Sequence, residues 1–434
     1  MKRIFFAIAV LVVLPLASRA EETVIRLSVQ PMAAPKPALR YLLLPDLKEM
    51  TPGNPIPNYL KCLLDQDFTA EREVLGKSAL RQADRAARMD KPDWQILLKL
   101  RTDGIGLLLP DLQKMRMLSN EFKNRFHDEA VRGHFDDALY TARTMFALSR
   151  HMGEHPTLIG DLVAIAMATV AIGPLEEMLE QPGCPNLYWA LTNLPDPLIS
   201  VSKGMEGERM LIRSEFPELD DREPMTPGQI KKLIFHIAAL SKQGGNTIRG
   251  EVNGLRAWIN KRTQDEKLVE AARRRLVEYG IAEERIMRFP ADQVILLDGY
   301  REYEVRRDED MKLMNLSTWQ VEELVHQGKP PKEPALFDEV LPALRKVRRA
   351  QGRLEQRIAL LRHVEALRLY AAAHDGKLPE KLSDIAVPLP VDPFTGKPFV
   401  YKVEGETAHL RGTPPRGEEK TTGYNIHYEI TIRK

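Results

Sequence analysis

Apolar residues recur at three- and four-residue spacing over most of this chain, from residue 38 to about residue 194. Ile96-Leu97-Leu98-Leu100 and Ala138-Ala142-Met145-Phe146 show the stripe that one helix face buries. The same spacing predicts helices at about 265–279, 290–315 and 317–327, and a long amphipathic helix over 335–373. Alternating patterns predict strands instead at 23–29, 399–403, 409–411 and 424–432. Breaks fall at Pro45, Thr51-Pro52-Gly53-Asn54-Pro55, Gly133, Pro156 and Pro182-Gly183-Cys184-Pro185. Thr226-Pro227-Gly228-Gln229 and Ser317-Thr318-Trp319-Gln320 each carry a capping box at a helix start.

These elements predict a mainly α protein with a small C-terminal α+β module, a long helix plus an antiparallel sheet. The helical part is expected to be a bundle or solenoid of helical hairpins. Gly133, Phe135 and Ala138 are spaced as at the helix–turn–helix junction of tetratricopeptide repeats, where small residues let two helices approach. The junction occurs once, without a 34-residue period. A second echo pairs Leu42-Leu43-Leu44-Pro45-Asp46-Leu47-Lys48-Glu49-Met50 with Leu107-Leu108-Leu109-Pro110-Asp111-Leu112-Gln113-Lys114-Met115, and reads as two similar helix junctions. The expected organisation is a leader at 1–20, an N-terminal strand and Pro-rich joint at 21–37, and a helical domain at 38–223. A second helical region follows at 224–334, and the long helix with its small sheet occupies 335–434.

The leader sets the expected location. Lys2-Arg3 precedes an apolar run of 13 residues, 4–16, and Ser18-Arg19-Ala20 places small residues at both cleavage positions. That is a secretory signal peptide, cut after Ala20; the run, broken by Pro15, is too short for the roughly 30 Å of a bilayer core. The protein is therefore expected to be exported, periplasmic or extracellular, with no transmembrane segment in the mature chain. Leu162 to Ile172 is apolar, but only about three turns long.

Charge narrows the partners. Residues 1–20 hold Lys2, Arg3 and Arg19 and no acid, so the remainder balances 60 basic against 61 acidic residues. Near-neutrality argues against a nucleic-acid binder or a polybasic membrane-surface protein. Acid pairs such as Asp136-Asp137 read as solvated helix faces. Cys62 and Cys184 are the only cysteines; the apolar helical setting of Cys62 favours a buried free thiol over a disulfide.

Candidate chemistry is sparse. His151-Met152-Gly153-Glu154-His155 matches the inverted zinc-protease spacing, in which two imidazoles four apart hold Zn²⁺ and the Glu activates water. Gly153 and Pro156 point to a helix end there instead. Ser200-Val201-Ser202-Lys203 fits the S-x-x-K nucleophile pattern without its partner motifs. Gly76-Lys77-Ser78 ends like a phosphate loop, but Glu71 stands where the first Gly is required. Tyr188-Trp189 after a Pro-Gly turn reads as a core anchor. No catalytic, cofactor-binding or metal residue is assigned, and no cofactor is expected.

Two resemblances add to this reading. The segment from Leu367 to Tyr401 resembles the C-terminal half of type II secretion major pseudopilins. In those a long helix ends in Tyr, Gly and Pro follow, and an Asp-Pro-Trp-Gly-x-Pro-Tyr segment comes later. Gly376, Pro379, Asp392, Pro393, Gly396, Pro398 and Phe399 take the corresponding places, with Tyr370 close to its own. Leu378 replaces an aromatic and Thr395 is inserted; the likeness covers under a tenth of the chain and implies a local helix-to-sheet fold. More broadly, Leu42-Leu43-Leu44-Pro45, Thr51-Pro52-Gly53-Asn54 and Pro185-Asn186-Leu187-Tyr188-Trp189-Ala190-Leu191 are similar to a family of exported planctomycete proteins, which implies export and no activity. The expected function is a non-catalytic binding or structural protein of the cell envelope that presents helical surfaces to a protein partner. The alternative is a zinc-dependent hydrolase using His151, Glu154 and His155.

Overall fold

The computed structural model describes residues 22–63, 77–219, 223–243, 252–327, 336–337 and 343–433. The expected leader and Gly76 lie outside the described residues. Strand β1 (Thr23–Val29) is followed by α1 (Ile56–Cys62), α2 (Lys77–Ala86), α3 (Leu97–Asp103), α4 (Pro110–Val131) and α5 (Phe135–Met152). Next come α6 (Leu158–Val170), α7 (Ile172–Leu179), α8 (Tyr188–Thr192), α9 (Ser202–Glu215), α10 (Pro227–Gln243) and α11 (Val252–Thr263). Then α12 (Glu266–Glu278), α13 (Glu283–Ile286), α14 (Ala291–Leu313), α15 (Thr318–Gln327) and α16 (Leu344–Ala373) lead to β2 (Val400–Glu404), β3 (Thr407–Arg411) and β4 (Ile426–Ile432). The protein is mainly helical with a small four-stranded sheet.

The sheet corrects one expectation: it is mixed, not antiparallel. Its order is β1-β4-β3-β2, and β1 lies parallel to β4 with Leu27 opposite Ile430. A parallel pair requires a crossover connection, and here nearly all the helices together form it. The reason is burial. In β1 the odd positions from Ile25 onward are apolar, so Leu27 and Val29 join Ala408, Leu410, Tyr428 and Ile430 on an inner face packed over α16. The opposite positions face outward. There Arg26, Glu429 and His409 stand side by side, and Val24, His427 and Arg411 form the next row.

Helix packing follows the apolar stripes. α4 begins with Pro110 in its first turn and ends near Gly133, whose φ of 74° suits glycine and turns the chain into α5. Phe122 and Phe126 on α4 and Ala138, Ala142 and Phe146 on α5 are fully buried, so this antiparallel hairpin closes tightly. Leu158–Leu179 runs long and apolar enough to cross a membrane, further than the three turns read from the pattern. Within the fold 61% of its most apolar window is buried, which is how the core helix of a globular protein looks. The echo at residues 42–50 and 107–115 diverges structurally. Asp46 caps a single 3₁₀ turn, Leu47–Glu49, that the Pro52-Gly53 break soon follows, whereas Pro110 opens a helix of 22 residues.

Buried side chains form two large clusters. One joins β1, α1, α2, α4 to α8, α16 and the sheet; the other joins α10 to α14 with Phe216 and Phe337. A smaller group, including Leu158, Met311, Met314 and Leu344, lies apart from both. The first cluster contains a polar clasp. Arg368 and Glu365 on α16 are fully buried and paired at 3.0 Å. Arg368 donates to the carbonyls of Gln30 and Cys184, and Asn186 Nδ2 donates to Glu365 at 2.6 Å. One side-chain network thus fixes the end of β1, the α7–α8 connection and the long helix together. Cys62 and Cys184 are both buried.

Candidate binding cleft and polar clusters

The His151 motif sits where α5 stops. The helix ends at Met152 with Gly153 as its cap, so His151 and His155 do not share a helix face. Each imidazole is engaged locally. His151 Nδ1 shares a hydrogen bond with Tyr59 Oη at 2.9 Å, and His155 Nδ1 shares one with Thr157 Oγ1 at 2.8 Å. Trp94 braces both: its indole N–H donates to the His151 carbonyl at 3.0 Å, and its ring meets His155 edge-on at 4.9 Å. Burial pushes both imidazoles down to about 4, aided for His151 by Arg150. They are neutral at physiological pH, and Glu154 is exposed.

A cleft of about 540 Å³ is lined by Asp90, Arg150, His151 and Glu154 together with the apolar Leu44, Pro45, Leu47 and Met89. Leu47 is 87% exposed at its lip. A second cleft, of about 700 Å³, lies between the Pro195-Asp196-Pro197 segment, Trp319 and α16. Two of its charged groups, Arg348 and Glu355, pair with each other. Arg348 meets Glu355 at 3.1 Å and donates to the Leu316 carbonyl at 2.9 Å, while Thr318 donates to Glu355 at 3.0 Å. Burial raises the Glu355 carboxyl, with Arg348 opposing.

The other sequence candidates are resolved by position. Ser200 and Ser202 share a hydrogen bond at 2.8 Å, and Lys203 pairs with Glu206 at 2.9 Å at the exposed start of α9. The lysine is thus directed away from the serines. Tyr188 is fully buried, meets Trp189 edge-on at 5.0 Å and donates to the Pro388 carbonyl. Asp392 receives the backbone N–H groups of Phe394 and Thr413 and the amide of Gln356, so it ties the turn before β2 to α16.

Two features escaped the sequence. Asp161 on α6 is fully buried beside Glu208 and Glu154, and burial first, then those neighbours, pushes its carboxyl up to about 8. Gly204 packs so closely that a Cβ there would stand 2.0 Å from Asp161 Oδ2. Secondly, His409, His427 and Glu429 on the outer sheet face bring one potential ligand atom each within 4.8 Å of the others, the group of this kind found among the described residues. The alternation of His427-Tyr428-Glu429 signals a shared strand face, but only the register with β3 brings His409 alongside. Compared with known proteins, the chain matches no family model, no curated protein and no solved structure.

Proposed function

We propose that this chain is a non-catalytic binding component of the cell envelope, exported behind its N-terminal segment, that holds a protein partner on its helical surface. The observation that carries the reading is the cleft beside α5. It has the size of a ligand pocket, with apolar Leu, Pro and Met side chains, the neutral His151 imidazole and the exposed charges of Asp90, Arg150 and Glu154 in its lining. Such a cleft suits an apolar side chain of a partner flanked by hydrogen-bonding backbone. Leu47 supplies an anchor at its rim, and Leu98 on α3 and Leu108 just before α4, 73% and 77% exposed, add apolar surface elsewhere. The stack of α4, α5 and α6 is the part that serves as a tetratricopeptide-like scaffold for this surface. The ionised side chains at this cleft, Asp90, Arg150 and Glu154, are solvated, which supports binding over catalysis. The test is size exclusion and affinity capture from envelope extracts with wild-type and Leu47→Glu chains. A defined complex lost in the variant supports the reading; a lone monomer in both removes it.

A further inference from the structure

The outer face of the sheet carries an arrangement unrelated to the cleft. His409 Nδ1 and His427 Nε2 face each other at 3.0 Å, and Glu429 stands directly across from His409 in the β3–β4 register. Both imidazoles have a carboxylate behind them. His427 Nδ1 meets Glu22 Oε2 at 3.0 Å, and His409 Nε2 lies 3.8 Å from Glu404 Oε2. We propose that His409, His427 and Glu429 bind a late first-row divalent cation, with Zn²⁺ the best fit, and that Glu22 and Glu404 orient the two imidazoles from outside.

The chemistry fits in three respects. Neutral imidazole nitrogens with one carboxylate are a donor set for zinc and its neighbours, not for Ca²⁺ or Mg²⁺. Two nitrogens each about 2.0–2.1 Å from a tetrahedral ion lie roughly 3.3 Å apart, so the observed separation needs only a small opening. A metal-ligating imidazole commonly gives its remote N–H to a carboxylate, which is the place Glu22 occupies behind His427. Without an ion, the facing nitrogens make one hydrogen bond between them, and Arg26, Arg411 and Lys402 balance the three carboxylates. Those cations are held on exposed side chains, and Arg26 is 76% exposed where it meets Glu429, so the pair yields easily to an ion. Because Glu22 precedes β1 while the ligands lie on β3 and β4, the bound ion fastens the first strand to the last two.

The test is calorimetric titration of the full chain with ZnCl₂, alongside MgCl₂, with thermal unfolding as a second readout. The expected result is one saturable Zn²⁺ site, no Mg²⁺ binding and a higher Tm with zinc. His409→Ala and His427→Ala abolish the site, and Glu22→Gln weakens it about 10–100-fold at unchanged stoichiometry. Circular dichroism checks that the variants fold; if a histidine variant does not, Glu429→Gln and Glu22→Gln carry the test. Absence of a saturable site overturns the proposal. So does zinc retained in folded His427→Ala and lost in His151→Ala, or affinity unchanged in both Glu429→Gln and Glu22→Gln.

Discussion

Arg368 donates to the carbonyls of Gln30, Cys184 and Pro185 and to both oxygens of Glu365 while fully out of solvent. Removing one member of such a pair leaves the other charge buried and uncompensated, at a loss of about 3–5 kcal/mol. Arg368→Ala is therefore expected to lower the urea midpoint sharply, and Arg368→Met with Glu365→Met to lose less than the single change. Asp161 sets a different dependence. Its carboxyl is raised in the folded protein to about 8 from an ordinary 3.8, so the folded state holds a proton that the unfolded state releases. Stability from this group is complete below about 3.8 and is lost as pH rises to about 8. His151, His155 and His363, each lowered by burial to about 4, act in the opposite sense, losing stability as pH falls from 6.5 to about 4. Urea midpoints measured from pH 4 to 8 should thus fall towards both ends, and Asp161→Asn should flatten the alkaline side and steepen the acid side. At this scale the sequence was legible where a residue acts locally. The caps were read correctly: Thr226 and Gln229 bond reciprocally, and Ser317 donates to Gln320. Asp161 and Arg368 were not readable, because their environments come from helices distant in sequence.

At the scale of elements, the decisive feature is β1. Its alternation made it a strand in the sequence, yet nothing local could reveal its partner, since β4 lies at the other end of the chain. Period and breakers specify an element; pairing between distant strands is set by which inner faces bury together. The helices were legible for the complementary reason, since each stripe is written within a few turns. The turn before β2 shows how far local grammar reaches. Gly396 has φ of 65° and packs against the Trp319 ring, so the Asp-Pro-Phe-Thr-Gly sequence forms a turn, but its anchoring to α16 needs Gln356. Leu27→Asp places a charge on the inner face of β1 opposite Ile430, an unpaired burial worth roughly 3 kcal/mol or more. By hydrogen exchange, the amides of β4 at Tyr428 and Ile430 should lose protection, while those of α14 keep theirs. Equal loss in both would contradict a separate dependence of the sheet on its first strand.

Taken as a whole molecule, the protein joins its two ends in one sheet and drives one long helix, α16, beneath it and past α6 and α8. The polar side chains within this frame mostly close it: Glu365 with Arg368, Asp84 with Arg125, Asp392 with its turn. What stands open is a cleft of mixed lining, apolar at Leu44, Pro45 and Met89 and charged at Asp90, Arg150 and Glu154, with Leu47 at its lip. That contrast is the basis for reading the molecule as a binder of another protein. The cleft itself was not legible from sequence: it combines residues from the 42–50 stretch with α5 and the Met89 turn, which only packing brings together. The most direct measurement is site-specific photo-crosslinking in living cells, with the photoreactive residue at position 47 and a control at Leu268 on α12. The account predicts a discrete heavier adduct from position 47, absent from position 268 and suppressed by Met89→Asp. No adduct from position 47, or the same adducts from both positions, would contradict it.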